Sequence, residues 1–354
     1  MTQKYAAVRL TETLEGGALR DAALARLEGV QTVDDALTAA RDLPSGLRPG
    51  GAGTAALWEV LATVAARDLA VARAIEPHLD ALAILEQAQV DDAALTSVVG
   101  PVEARTWGVF AAEGPGVRVD ATDGVGGTVR LDGTKPWCSL ASSLTAALVT
   151  AHLPDGERAL FAIDLRHPGV RQGDEPWAAR GLTEIPSASL HLHDVPAVPV
   201  GGHGWYLRRP GFAWGGAGVA ACWYGGAVGL ARTLVASVAA RPEAELLVMH
   251  LGDVDEHLVA ARAALTEVAG EVAEGRPTTL GAARVRATVA RTVERVLRAS
   301  AHALGPAPLA LDAEHVKRVA DLELYVRQHH AERDLVSLGR KVLAQRENAQ
   351  GEPW

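Results

Sequence analysis

The sequence predicts an α+β chain in three parts. These are an N-terminal helical domain over residues 1–95, a small central β-barrel or sandwich over 96–203, and a C-terminal four-helix bundle over 204–354. Three observations predict it. Of the 354 residues 48% are apolar but only 4% aromatic, so Ala, Leu and Val fill the interior and favour helices. Apolar spacing is helical at both ends of the chain and short and alternating in its middle. Proline and glycine clusters divide the last third into long segments.

In the first part, Leu57, Leu61, Val64 and Ala65, then Leu69, Ala72 and Ile75, recur at helical spacing. Asp34-Asp35 and Thr54 are expected helix starts, and residues 43–51 a loop between helices. In the second part, alternating runs at 107–111, 128–131, 146–151, 159–164 and 189–193 predict short strands. Turn pairs Asp123-Gly124, Asp132-Gly133 and Asp155-Gly156 separate them. The Asp132-Gly133 pair predicts a tight turn that throws a strand back on itself. On the extended backbone beyond it, Trp137 and Ser139 point the same way. In the third part, helices are expected over 212–239, 243–274, 278–304 and 312–344, joined by short connections as an antiparallel bundle.

Composition excludes several functions. The net charge of −9 and the lack of a basic run argue against nucleic acid as a partner. Two cysteines, Cys138 and Cys222, make no disulfide framework, which points to a reducing cytoplasm. The first 17 residues have no continuous apolar core and carry Glu12 and Glu15, so no signal peptide is expected. Residues 210–231 lack charge and are long enough to span a bilayer, but they hold seven glycines. Each glycine costs a helix about 0.5–1 kcal/mol relative to alanine, so a tightly buried helix is expected rather than a membrane span. Its bare backbone suits a helix seam, or a cofactor or substrate tail lying against it. The glycine clusters at 124–127 and 201–204 read as turns, neither in a dinucleotide-fingerprint setting. His329, His330, Glu332 and Asp334 read as a charged helix end, and no metal site is expected.

The chemistry concentrates in Asp132-Gly133-Thr134-Lys135-Pro136-Trp137-Cys138-Ser139. An indole beside a short hydroxyl suits a flat redox ring, one packing on its face and the other reaching a ring nitrogen. This segment, with the order of helices, β-domain and bundle, resembles the acyl-CoA dehydrogenase family of flavoproteins. The Gly181 to Pro199 stretch matches the family's β-domain closure in outline. The resemblance implies FAD, with Trp137-Cys138-Ser139 at the isoalloxazine, Trp137 packed on it and Ser139 bonded near N5. It also implies that backbone N–H groups of Ala111 and Ala112 hold the pyrimidine end. Arg241 would reach the FAD phosphates of a neighbouring subunit, and Gly305 keeps its type in the family's Gln-x-x-Gly-Gly segment. Ala244 and Leu251 stand where the family has Phe and Gln, and Gly114-Pro115-Gly116 where it has Gly-Ser-Asp.

Aligning Asp321 and Tyr325 with the family's last-helix motif puts His329 at the position of its catalytic Glu, with His330 adjacent. Histidine ionises near neutrality and can remove the α-proton of an acyl thioester. The implied reaction is α,β-dehydrogenation of a small acyl substrate, such as a CoA thioester, with hydride transfer to FAD. Trp214-Gly215-Gly216 replaces the Asp-Arg pair of many dehydrogenases. That leaves two alternatives on the same scaffold. One is a flavin-dependent monooxygenase using oxygen; the other is a catalytically degenerate paralogue acting as a binding partner. The resemblance further implies an electron acceptor or oxygen as co-substrate, and a homodimer or homotetramer.

Overall fold

The computed structural model describes residues 6–11, 17–124, 128–276 and 278–348. Glu12, Glu15, the Val125-Gly126-Gly127 part of one expected turn, and Pro277 lie outside them.

The N-terminal helices are α1 (Gly17–Arg26), α2 (Val33–Ala40), α3 (Gly53–Arg67), α4 (Leu69–Gln87) and α5 (Asp92–Val99). Thr32 caps α2 in a reciprocal capping box with Asp35, and Asp68 caps α4 by accepting from the N–H groups of Ala70 and Val71. Thr54 stands in the first turn of α3, where it accepts from the Gly50 N–H and donates to the Gly51 carbonyl. Helix α3 is buried on nearly every side, and its buried Glu59 is paired with Arg20 at 2.9 Å.

Seven strands follow: β1 (Trp107–Phe110), β2 (Val119–Asp123), β3 (Val129–Lys135), β4 (Ala146–His152), β5 (Arg158–Asp164), β6 (Val170–Gln172) and β7 (Leu190–Val200). Strands β4, β2, β3, β7 and β5 pair in that order, and β5 returns to β4, which closes a barrel. β1 adds parallel to β4, and β6 antiparallel to β7. Ala147, Val149 and Ala151 of β4 face the barrel core, while Ala146 and Leu148 pack in a second cluster with Ile84 of α4 and Leu95 of α5. Burial of both faces accounts for its continuous apolar run.

One expected turn is corrected here. Asp132-Gly133 does not reverse the chain; both residues lie inside β3, at a bulge against β7. Gly133 has φ +124°, and a Cβ there would collide with the Arg118 carbonyl, so glycine serves a close strand crossing. Asp132 accepts from the Asp194 N–H of β7. By contrast, Asp155-Gly156 does form the β4–β5 hairpin, with Gly156 at φ +83°.

The remaining elements are α6 (Trp205–Arg208), α7 (Pro210–Ala240), α8 (Glu245–Ala273), α9 (Thr279–Leu304), α10 (Pro306–Leu311), α11 (Ala313–Tyr325) and α12 (Glu332–Asn348). The expected fourth helix is broken. After α11 a single 3₁₀ turn, Val326–Gln328, leads to His329 in an extended conformation and Ala331 at φ +46°. Helix α7 meets the length and apolarity of a membrane span, and 67% of its most apolar window is buried within the protein. Its Gly225 and Gly229 lie against the backbone of α3, where a Cβ at Gly225 would collide with the Ala62 carbonyl. Gly215 and Gly216 face side chains instead, those of Asp80 and Arg286. The expected helix seam occurs in one half, and the other half borders a cavity.

Candidate functional site

Lys135 ends β3 with its ammonium buried, 2% of the residue being exposed. The Nζ donates to Glu113 Oε1 at 3.0 Å and to Thr150 Oγ1 at 2.8 Å. Burial pulls the Lys135 ammonium down and the Glu113 pair opposes it. This anchor fixes the start of the segment that follows. Pro136 ends the ladder, and Trp137 adopts φ +60° rather than the expected extended backbone. The indole is 62% exposed. A bulky residue in the left-handed region is strained by about 1–3 kcal/mol and persists only where its surroundings hold it. Here the Cys138 N–H donates to the Ala188 carbonyl and the Leu140 N–H to the Pro186 carbonyl, both at 2.9 Å. The Cys138 side chain turns inward, donating to the Lys135 carbonyl, and burial pushes its thiol up to about 12. The Cys138 N–H and side chain are both engaged within the protein, so of the three residues Trp137 and Ser139 are the ones that present groups outward.

The Ser139 hydroxyl lies 2.7 Å from Ser187 Oγ and accepts from Arg73 Nη2 at 3.2 Å. Ser187 Oγ itself donates to the Ile185 carbonyl at 3.2 Å, so Ser139 donates to Ser187, accepts from Arg73 and keeps one lone pair for a ligand N–H. Arg73 connects this segment to a cavity of about 610 Å³ between α4, α6, the first turns of α7, the start of α9 and the 328–334 turn. Its wall is charged. Arg73, Glu76 and Asp80 line it from one face of α4, at the i, i+3, i+7 spacing that aligns side chains on a helix. Arg209 Nη2 approaches Asp80 Oδ1 at 3.7 Å, yet that oxygen makes no hydrogen bond. Burial raises the Asp80 carboxyl and Arg209 opposes the rise. Arg286 donates to the carbonyls of Gly216 and Gln328 and stacks on the Trp223 ring at 4.8 Å. Sequence reasoning missed all these charges. The legible signal was a polar stripe at helical spacing within an otherwise apolar helix.

The two histidines part company at the helix break. His330 and Asp334 border the cavity, with His330 Nδ1 3.4 Å from Asp334 Oδ1. His329 turns behind the wall, 8% exposed, with its ring edge-on to Trp223. Its Nε2 is buried without a hydrogen bond, 3.8 Å from Asp334 Oδ2. Burial lowers the His329 imidazolium pKa despite Asp334, which favours the neutral ring.

Ala111 and Ala112 follow β1, whose Val109 borders the same cavity. Arg241 and Gly305 stand elsewhere. Gly216 borders the cavity and Arg241 caps the end of α7, 25 residues further on, so roughly 37 Å of helix separates them. Gly305, at φ +68°, joins α9 to α10. The His250–His302 ring contact, at 6.1 Å, brings the start of α8 and the end of α9 together. The predicted ring residues and the predicted phosphate residues thus occupy opposite ends of the bundle within one chain.

This arrangement of helices, closed β-domain and bundle has close structural counterparts. Butyryl-CoA dehydrogenase from Megasphaera elsdenii superposes with a TM-score of 0.81, covering 94% of this chain and 99% of that one, at 17% identity. The fold is that of the acyl-CoA dehydrogenases. KijD3, solved with FMN and a dTDP-linked amino-keto sugar, shares this acyl-CoA dehydrogenase fold with a TM-score of 0.77 at 18% identity, covering 95% of this chain and 94% of that one. FMN-bound TdsC from Paenibacillus sp. A11-2 gives 0.74 at 18% identity, covering 93% of this chain and 95% of that one. No protein-family model and no curated protein matches the chain. Proteins of the acyl-CoA dehydrogenase fold therefore include both an acyl-CoA enzyme and FMN-bound members solved with other ligands.

Proposed function

We propose that this chain is a flavin-dependent oxidoreductase that binds FAD along the Trp137–Ser139 segment and its substrate in the cavity beside it. The carrying observation is Trp137, an exposed indole held on a left-handed backbone next to a hydroxyl that Arg73 ties to the cavity. These residues fit a flavin ring: an aromatic face for stacking, a hydroxyl with a spare lone pair, and backbone N–H groups at Ala111 and Ala112. The bound flavin supplies a two-electron acceptor. The chain's own residues orient the ring through Trp137 and Ser139, and hold the substrate against Arg73, Glu76 and Arg286. Arg241 serves the FAD phosphates of a second copy, since its distance from the cavity keeps it from serving its own.

Under this reading the substrate is a small acyl compound that undergoes α,β-dehydrogenation. A second reading, oxygen-dependent hydroxylation of a polar substrate, draws support from the cavity wall. Three arginines and three carboxylates line a space where a plain acyl chain would want apolar contacts. The visible spectrum of the purified protein tests the common part. We expect a flavin spectrum, FAD released on denaturation, and about tenfold weaker flavin affinity in Trp137→Ala, equal to about 1.4 kcal/mol. A colourless protein that FAD does not restore overturns the proposal. Anaerobic bleaching by butyryl-CoA selects the first reading. Oxygen uptake driven by NADH or reduced flavin selects the second.

A further inference from the structure

We propose that Glu76 is the acid–base group of the cavity, and that its carboxylate takes the proton removed from the bound substrate. The proposal deepens the flavin reading and rests on it for the place of the substrate. Glu76 is 9% exposed and lines the cavity. Its Oε2 lies 3.9 Å from Arg73 Nη1, while Nη2 of the same guanidinium lies 3.2 Å from Ser139 Oγ. One guanidinium therefore separates the carboxylate from the hydroxyl expected at the reactive edge of the ring. No hydrogen bond to the Glu76 carboxylate occurs among the described residues, so its lone pairs are available to a substrate. His329, by comparison, keeps its Nε2 sealed behind the wall.

The surroundings hold this carboxylate ready. Arg73 and Asp80 face it from α4, Arg286 from α9, Cys222 from α7, Tyr206 from α6 and Tyr325 from α11. Burial raises the Glu76 acid to about 7, the Arg73 charge opposing and Asp80 adding to the rise. A base of that strength suits proton transfer near neutral pH. In the step itself the substrate's C–H bond breaks heterolytically and its electron pair stays on the substrate. The proton forms an O–H bond with Glu76, which returns it to water at the cavity mouth.

Two measurements on the intact protein test this. The first is anaerobic exchange of the α-hydrogens of butyryl-CoA with D2O. We expect exchange by the wild type, a loss of about 100-fold in Glu76→Gln, and a rate within about threefold of wild type in His329→Ala. Exchange at the wild-type rate in Glu76→Gln overturns the proposal. The second needs no substrate. Infrared titration is expected to show a protonated carboxyl band that disappears with a midpoint near 7 and is missing in Glu76→Gln. A midpoint near 4.5 overturns the proposal. If the wild type exchanges nothing, the acyl reading fails by itself, and the infrared midpoint alone decides the role of Glu76.

Discussion

At the scale of single residues, the site is governed by what burial does to charge. Glu76 and His78 sit two positions apart on α4 and respond to pH in opposite senses. Burial pushes the Glu76 acid up from about 4.5 to about 7, and pushes the His78 imidazolium down from about 6.5 to about 4. The folded protein thus favours neutral Glu76, whose contribution to stability is complete below pH 4.5 and fades as pH rises through 7. Neutral His78 accepts the Trp107 N–H through Nδ1, and its contribution is complete above pH 6.5 and fades as pH falls towards 4. Urea denaturation at a series of pH values separates the two. Relative to the wild type, Glu76→Gln is expected to gain on the order of 3 kcal/mol as pH rises from 4.5 to 7 and to keep that gain above 7, the difference being constant below 4.5. The polar stripe of α4 was legible at helical spacing, but the burial that shifts its charges was not, because it depends on tertiary packing. Trp137 was singled out from sequence, but its left-handed backbone was not, because the preceding lysine anchor acts through space.

At the scale of elements, the helices and most strands were legible because their periodicity is long or their runs are apolar. What was not legible depends on tertiary partners. Gly133 reads locally as a turn, and only pairing with β7 turns it into a bulge. The break after α11 carries no proline or glycine, and it falls just beyond the point where α11 packs on the 181–182 segment. Gly181 packs so closely on α11 that a Cβ there would collide with the Ala320 carbonyl. Beside it, the buried Asp321 carboxylate accepts from the Leu182 N–H at 2.6 Å and from Lys317 Nζ at 2.7 Å. Asp321→Ala leaves the Leu182 N–H unpaired while Lys317 keeps Asp68 and Glu184, and chemical denaturation should show a loss of about 1–3 kcal/mol. The α7–α3 seam makes a sharper test of packing. Gly225→Ala must displace backbone at Ala62, so we expect about 1–3 kcal/mol of destabilisation, whereas Gly252→Ala, with open space around it, should be neutral or stabilising.

At the scale of the whole molecule, the three-part architecture was legible from the change of period along the chain. The association of copies was implied by resemblance alone. The end of the bundle remote from the cavity carries Arg241 and Gly305, and it exposes Leu246 and Met249 on α8 and Leu311 on α10. Apolar side chains so exposed favour burial against another surface. Light scattering is expected to give a dimer or tetramer, and the double variant Leu246→Glu, Leu311→Glu to give monomers that hold FAD more weakly. A monomeric wild type that keeps FAD would remove Arg241 from the cofactor site.

The length of α7 carries one more implication. If Arg241 serves the FAD phosphates as proposed, the roughly 37 Å of α7 between Gly216 and Arg241 keeps one copy from gripping both halves of the dinucleotide. Loading would then follow mass action on the protein itself, and dilution would empty the holoenzyme without altering a single side chain. Abundance in the cell would act as a control on how much of the population is redox-competent.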